Sequence, residues 1–69
     1  MISTTREDRF GVEMHDGATG WRVAIVDADG AVVAERACRD QTEARTYAST
    51  VRQHIYWLSP ERFRAYYRL

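Results

Sequence analysis

The first half of the chain carries the residue patterns of β-strands. Residues 9–15 alternate between apolar side chains and polar or small ones, which predicts a first strand that ends at Asp16-Gly17. Residues 21–26 are rich in β-branched and aromatic types, and Asp29-Gly30 before the apolar run 31–34 is a strong hairpin signal. The sequence therefore predicts two further strands around that turn.

The turn at residues 27–30 leaves the register of this hairpin open. It fits either a two-residue type I′ turn at its last two positions or a type I turn in which Gly30 forms a left-handed bulge. A shift of one residue would reverse which side chains share a face. In both cases the odd-numbered residues of 23–26 point to one side and the even-numbered ones to the other. Because both sides carry apolar residues, we expect the second face to be at least partly covered.

Two sets of capping residues mark helices in the second half of the chain. Asp40 and Glu43 have the spacing of a capping box, so a helix should begin after Asp40. The Ser59-Pro60 pair predicts a second, short helix over about 60–68, and the first helix then ends near Trp57. Between these signals, apolar residues at helical spacing form a stripe suited to packing on a sheet: Ala44, Tyr47, Ala48, Val51, Ile55 and Leu58.

These elements predict an α+β fold, a three-stranded antiparallel β-meander packed by one long α-helix and followed by a short C-terminal helix. A chain of 69 residues has room for one domain, which we expect to cover residues 9–69 after a flexible N-terminus at residues 1–8. No apolar run approaches the ~20 residues that span a bilayer, and the polar start of the chain lacks the order of a signal peptide. We therefore expect a cytoplasmic location and no membrane partner.

The residue types that commonly carry catalysis or bind metals are few and scattered. Cys38 is the only cysteine, which excludes an internal disulfide, and neither His15 nor His54 stands at zinc-site spacing from it. A nucleophilic pair of Cys38 with either histidine would need a pocket and a third, orienting group, which the sequence does not indicate. Residues 17–20 are glycine-rich but open no helix, unlike a phosphate-binding loop. We therefore expect a protein that is not an enzyme and that holds no metal or cofactor.

Charged and aromatic residues are distributed unevenly along the chain, although the formal net charge is zero. The first 40 residues hold five Arg against eight acids, a net −3, whereas the rest of the chain holds five Arg against two acids, a net +3. Six of the eight aromatic residues lie in the last 23 residues. Helical spacing places Tyr47 and Phe63 inward, but a small helix-on-sheet core cannot bury the other four as well. Some of these rings must therefore be exposed or covered by another chain.

This C-terminal mixture of rings and arginines is the candidate binding surface. Trp, Tyr and Arg dominate protein-binding hot spots because they combine a large rigid area with polar groups. The same mixture can bind nucleic acid, with Arg on phosphates and rings stacked on bases. The predicted partner-binding residues are Arg52, Tyr56, Trp57, Arg62, Arg64, Tyr66, Tyr67 and Arg68.

Two functions are compatible with such a surface. In the first, the protein is a non-catalytic interaction module that docks on a larger protein or ribonucleoprotein, or on itself as a homodimer. The most concrete form of this hypothesis is a phage or plasmid inhibitor of a host defence system, in the manner of anti-CRISPR proteins. In the second, the protein is a small nucleic-acid-binding regulator that uses its basic, aromatic C-terminal helices. Zero net charge and the acidic first part favour the first hypothesis, because phosphate affinity comes mainly from accumulated positive charge.

Overall fold

The sheet and the two helices follow one another along the chain without a crossover. The structure is a computed structural model that describes residues 9–69; the predicted flexible segment 1–8 lies outside the described residues. The strands form one antiparallel sheet in the order β1-β2-β3. The elements are β1 (Gly11–Gly17), β2 (Gly20–Val26), β3 (Val32–Cys38), α1 (Gln41–Trp57) and α2 (Pro60–Tyr67). The α+β architecture predicted from the sequence is confirmed.

The first strand, β1, begins and ends two residues later than the sequence predicted. Asp16 and Gly17, which were expected to end the strand, pair with Trp21 and Gly20 in the β1–β2 register. A two-residue turn then joins the strands, and Gly20 adopts a φ of +128°, which side-chain-bearing residues rarely adopt. The glycine pair thus moves the reversal two residues beyond the Asp-Gly signal.

The second hairpin adopts the bulged alternative of the two predicted turns. The N–H of Gly30 donates to the carbonyl of Asp27 at 2.9 Å, and the N–H of Asp27 donates to the carbonyl of Ala31 at 2.9 Å. The Asp27 carboxylate also accepts the N–H groups of Asp29 and Ala31, and Gly30 takes a φ of +87°. Beyond the turn, Ile25 and Val26 lie opposite residues 34 and 32, so β3 contains a further bulge at Val33.

The core lies between one face of the sheet and the inner side of α1. It has two parts: Val23, Cys38, Ala44 and Ala48 pack near the start of α1, and Phe10, Ile25, Val51 and Phe63 pack near its end, where α2 joins. The predicted apolar stripe of α1 is confirmed, since its members are buried or half-buried.

The opposite face of the sheet carries mostly polar side chains, with the cross-strand pair Val26 and Val32 as its apolar part, and no helix of residues 9–69 packs on it. Ala24 is nevertheless only 1% exposed there, between its register partners Glu13 and Glu35. The Arg22 guanidinium bonds Glu35 at 3.0 Å across this face. Ala24 is the only residue of 9–69 that is buried on this face, so the expected cover is limited to that position and comes from neighbouring side chains of the sheet.

Local capping sets the helix ends that position the candidate site. The Asp40 carboxylate accepts the N–H of Glu43 at 2.9 Å, and the Glu43 carboxylate accepts the N–H of Arg39 at 2.6 Å. At the second helix, the Ser59 hydroxyl accepts the N–H of Arg62 at 3.2 Å, and Pro60 occupies the first turn. Both helices therefore begin where the capping residues predicted.

Candidate docking site

Three of the four rings that the core was not expected to hold are exposed. Tyr56 is 76%, Trp57 is 70% and Tyr66 is 63% exposed, whereas Tyr67 is half-buried. Phe63, the ring predicted to point inward from α2, is 1% exposed. Of the rings on α2, Phe63 and Tyr67 are therefore packed against the rest of the domain and Tyr66 is exposed. The other two exposed rings belong to the end of α1.

Tyr56 and Tyr66 lie on opposite flanks of α1 rather than on one surface. Positions two residues apart on an α-helix point about 200° apart, so His54 and Tyr56 face opposite ways. The Tyr66 ring lies 4.7 Å from the His54 ring, whereas Tyr56 lines a groove together with Phe10 on the other flank. The predicted partner-binding residues thus divide into two patches.

The first patch, here named the turn groove, lies where the chain passes from α1 to α2. It is an open groove of about 450 Å³. Its floor includes Phe10 and Phe63, whose ring centroids are 4.8 Å apart, and its rim includes Tyr56, Trp57 and Pro60. The lining residues are Arg9, Phe10, Ile55, Tyr56, Trp57, Leu58, Ser59, Pro60 and Phe63.

Arginines surround the turn groove. Arg9 lines it, Arg52 lines an adjoining groove together with Tyr56, and the Arg64 guanidinium lies 5.2 Å from the centre of the Phe10 ring. Among residues 9–69, no acidic residue lines either groove. Within residues 9–69, none of these three arginines forms an ion pair with a carboxylate. The groove is therefore apolar at its floor and cationic at its edges.

The second patch, here named the tail cluster, consists of His54, Tyr66 and Tyr67. The Tyr67 hydroxyl lies 2.7 Å from His54 Nδ1, and the Tyr67 ring packs on Phe63 at 4.7 Å. Burial, followed by the nearby Tyr47 and Tyr66 phenols, raises the pKa of Tyr67 to about 12. The hydrogen bond between the Tyr67 hydroxyl and His54 joins α2 to α1.

The two remaining predicted residues lie on α2 or directly after it, outside the turn groove. Arg62 is exposed, and its backbone N–H takes part in the Ser59 cap. Arg68 is exposed and ends α2 in the left-handed conformation at a φ of 59°, with its N–H donating to Ala65. Sequence reasoning missed Arg9, which precedes β1 and carries no local signal that relates it to the helices.

The structure separates the residues considered for catalysis or metal binding. His15 lies opposite Arg22 on the polar face of the sheet, where Glu13 bonds it at 3.0 Å. Cys38 is buried on the helix-facing side, and His54 belongs to the tail cluster. Residues 9–69 contain no group of three or more His, Cys, Asp or Glu side chains that could hold a metal ion.

Comparison with known proteins gives no relative from which to transfer a function. No protein-family model, curated protein or solved structure matches the chain. Neither helix in the described range is long and apolar enough to cross a membrane. A function must therefore be argued from the chemistry of the two patches.

Proposed function

We propose that this protein is a non-catalytic interaction module that docks on a larger protein or complex through its exposed rings and arginines. The observation that carries the proposal is the exposure of Tyr56 and Trp57 on a capped, well-packed end of α1. Each aromatic ring can contribute roughly 150–250 Å² of contact area. Such rings lose little conformational freedom on binding, because the helix already holds their backbone.

The proposal becomes more specific when a partner is named. A larger protein or ribonucleoprotein is the leading one, and inhibition of a host defence system by an anti-CRISPR-like mechanism is its most concrete version. Self-association is another form, and it requires a melting temperature that rises with protein concentration. A hundredfold dilution lowers the free energy available for association by roughly 3 kcal/mol. A melting temperature that stays constant over this dilution would exclude the homodimer.

A second candidate function, nucleic-acid binding, is favoured by one feature of α1. Arg45, Ser49 and Arg52 follow one another at spacings of four and three residues, and all three line a polar groove beside Met14. No acidic residue of the described range lines this groove. Such a row can contact phosphates, but the net charge of zero argues against strong binding.

The test is affinity capture from the native host, with the captured proteins identified by mass spectrometry and with nuclease in one arm. The chain is used as wild type, as Trp57→Ala, as Tyr66→Ala and as the double variant. We expect loss of an anchor ring to weaken binding by more than ~2 kcal/mol. The fold should persist, because both rings are exposed, and far-ultraviolet circular dichroism checks this.

Binding that survives removal of both rings would refute the assignment of Trp57 and Tyr66 as anchors. Binding that disappears with nuclease would favour the nucleic-acid function. A steep fall in affinity between low and physiological salt would point the same way, because phosphate contacts release counterions, whereas an interface centred on aromatic rings changes little.

A further inference from the structure

We infer that the turn groove binds an acidic, extended segment of a partner protein, which inserts an apolar side chain beside Tyr56 and Trp57 and directs carboxylates toward Arg9 and Arg52. The inference rests on the proposed function, and it adds the site and the chemistry of the partner. It follows from the shape of the groove and from the charge around it.

The groove is preformed and apolar where an inserted side chain would lie. Phe10 is 7% and Phe63 is 1% exposed, so these rings support the floor from the core, and the half-buried Ile55 adds accessible apolar surface. Tyr56 and Trp57, at 76% and 70%, stand at the rim with most of their surface in water. A volume of about 450 Å³ is within the range of pockets that bind small ligands. One or two apolar side chains of a partner can therefore displace water here without rearranging the fold.

The charge around the groove selects the flanking residues of the partner. Arg9 and Arg52 lie on the Tyr56 side, and Arg64 lies over the Phe10 ring. Within residues 9–69, arginines are the only charged residues that line the two grooves, so this part of the surface favours an acidic segment over a basic one. A guanidinium also offers two parallel N–H donors that match a carboxylate. Asp or Glu on either side of the apolar side chain is therefore the complementary sequence.

A peptide fits this site better than a nucleic acid does. Single-stranded nucleic acids are held by stacking platforms along a continuous basic track. Here the apolar floor is concave, and Pro60 and Ser59 line it at the turn between the helices. A concave apolar floor with cations at its edge matches an inserted aliphatic or aromatic side chain with acidic neighbours.

The test measures binding of labelled synthetic peptides to the full chain by fluorescence anisotropy. The main probe is Gly-Asp-Glu-Leu-Phe-Glu-Asp-Gly. One matched peptide replaces the four acids by Lys and Arg, a second replaces Leu-Phe by Ser-Ser, and an oligo(dT) strand of similar length represents nucleic acid. We expect the main probe to bind at least about tenfold more tightly than each of the other three. It alone carries both apolar side chains for the floor of the groove and carboxylates for the arginines at its edge.

Variants locate the binding in the turn groove. Tyr56→Ala, Trp57→Ala and Arg52→Ser should each weaken binding of the main probe about tenfold or more. Arg39→Ser is the matched charge control, since Arg39 is 86% exposed at the far end of α1. Val32→Ala is the apolar control, since Val32 is 55% exposed in β3. Both controls should leave the dissociation constant within about twofold.

Equal binding of the acidic and basic peptides, tightest binding of oligo(dT), or unchanged binding by Arg52→Ser would each overturn the inference. These outcomes are separate from the test of the proposed function. A native partner that depends on Tyr66 but not on Trp57 would keep the docking function and overturn the turn groove as its site. Loss of the native partner with Trp57→Ala, together with selective binding of the acidic peptide, supports both.

Discussion

Replacing Phe63 by alanine tests whether a single ring holds α2 and the floor of the turn groove in place. Phe63 is the only buried residue of this eight-residue helix. The centroid of its ring lies 4.8 Å from that of Phe10 and 4.7 Å from that of Tyr67. A helix of this length is not stable without packing. Removing the ring should therefore release α2 from α1 and the sheet.

The expected loss is large compared with the stability of the chain. Truncating a buried Phe costs about 3–5 kcal/mol through lost transfer free energy and the cavity that remains. A chain of 69 residues at the usual stability per residue unfolds at a cost of about 3–10 kcal/mol. Phe63→Ala should therefore remove between a third and all of the free energy of unfolding.

Urea denaturation followed by far-ultraviolet circular dichroism measures this loss. If α2 separates before the rest of the domain unfolds, the native state loses helix signal and the dependence of the unfolding free energy on urea decreases, because less surface remains to be exposed. Arg62→Ala is the matched control on the same helix, where an exposed position should change stability by less than about 0.5 kcal/mol. A Phe63→Ala variant that loses less than ~1 kcal/mol with an unchanged urea dependence would refute this account of α2.

Two further predictions concern the helix cap and the tail cluster. Asp40→Ala removes the acceptor for the Glu43 N–H and should lower the free energy of unfolding, measured by urea denaturation, by about 1 kcal/mol. Asp29→Ala, at an exposed turn position, is the control and should lower it by less. Equal losses in the two variants would contradict the capping role of Asp40. The pKa of Tyr67 is raised from 10.0 to about 12, so its contribution to stability is complete below pH 10 and is lost as the pH rises toward 12. Near-ultraviolet titration of tyrosinate should show one late step that Tyr67→Phe abolishes, and a late step that persists in this variant would show that another tyrosine carries it.

The helices were predictable almost to the residue because their end signals are local. A cap and the first turn it serves lie within four residues, so Asp40 and the Ser59-Pro60 pair determine their own neighbourhoods. The end of β1 was less predictable, because Asp16-Gly17 is a sound turn signal on its own. Pairing of Gly17 with Gly20 overrides it, and this pairing depends on a partner strand.

The candidate site was predictable as a surplus of rings but not as a groove. Counting aromatic residues against the capacity of a small core predicted that some of them stay exposed, and Tyr56, Trp57 and Tyr66 do. The groove itself needs Arg9 and Phe10, which stand more than 40 residues before Tyr56 in the sequence. Their approach is a tertiary contact, and no local pattern encodes it.

The division of the rings into two patches also assigns them different roles. Residues 54–57 are adjacent in the sequence, but the helical turn sends His54 toward α2 and Tyr56 toward β1. On the first flank, Tyr67 and His54 are hydrogen-bonded to each other, so these two side chains hold α2 in place, whereas Tyr66 is 63% exposed. On the other flank, the arginines around Tyr56 have no acidic partner within residues 9–69. Binding energy for a partner is therefore expected from the turn groove, and the orientation of α2 from the tail cluster.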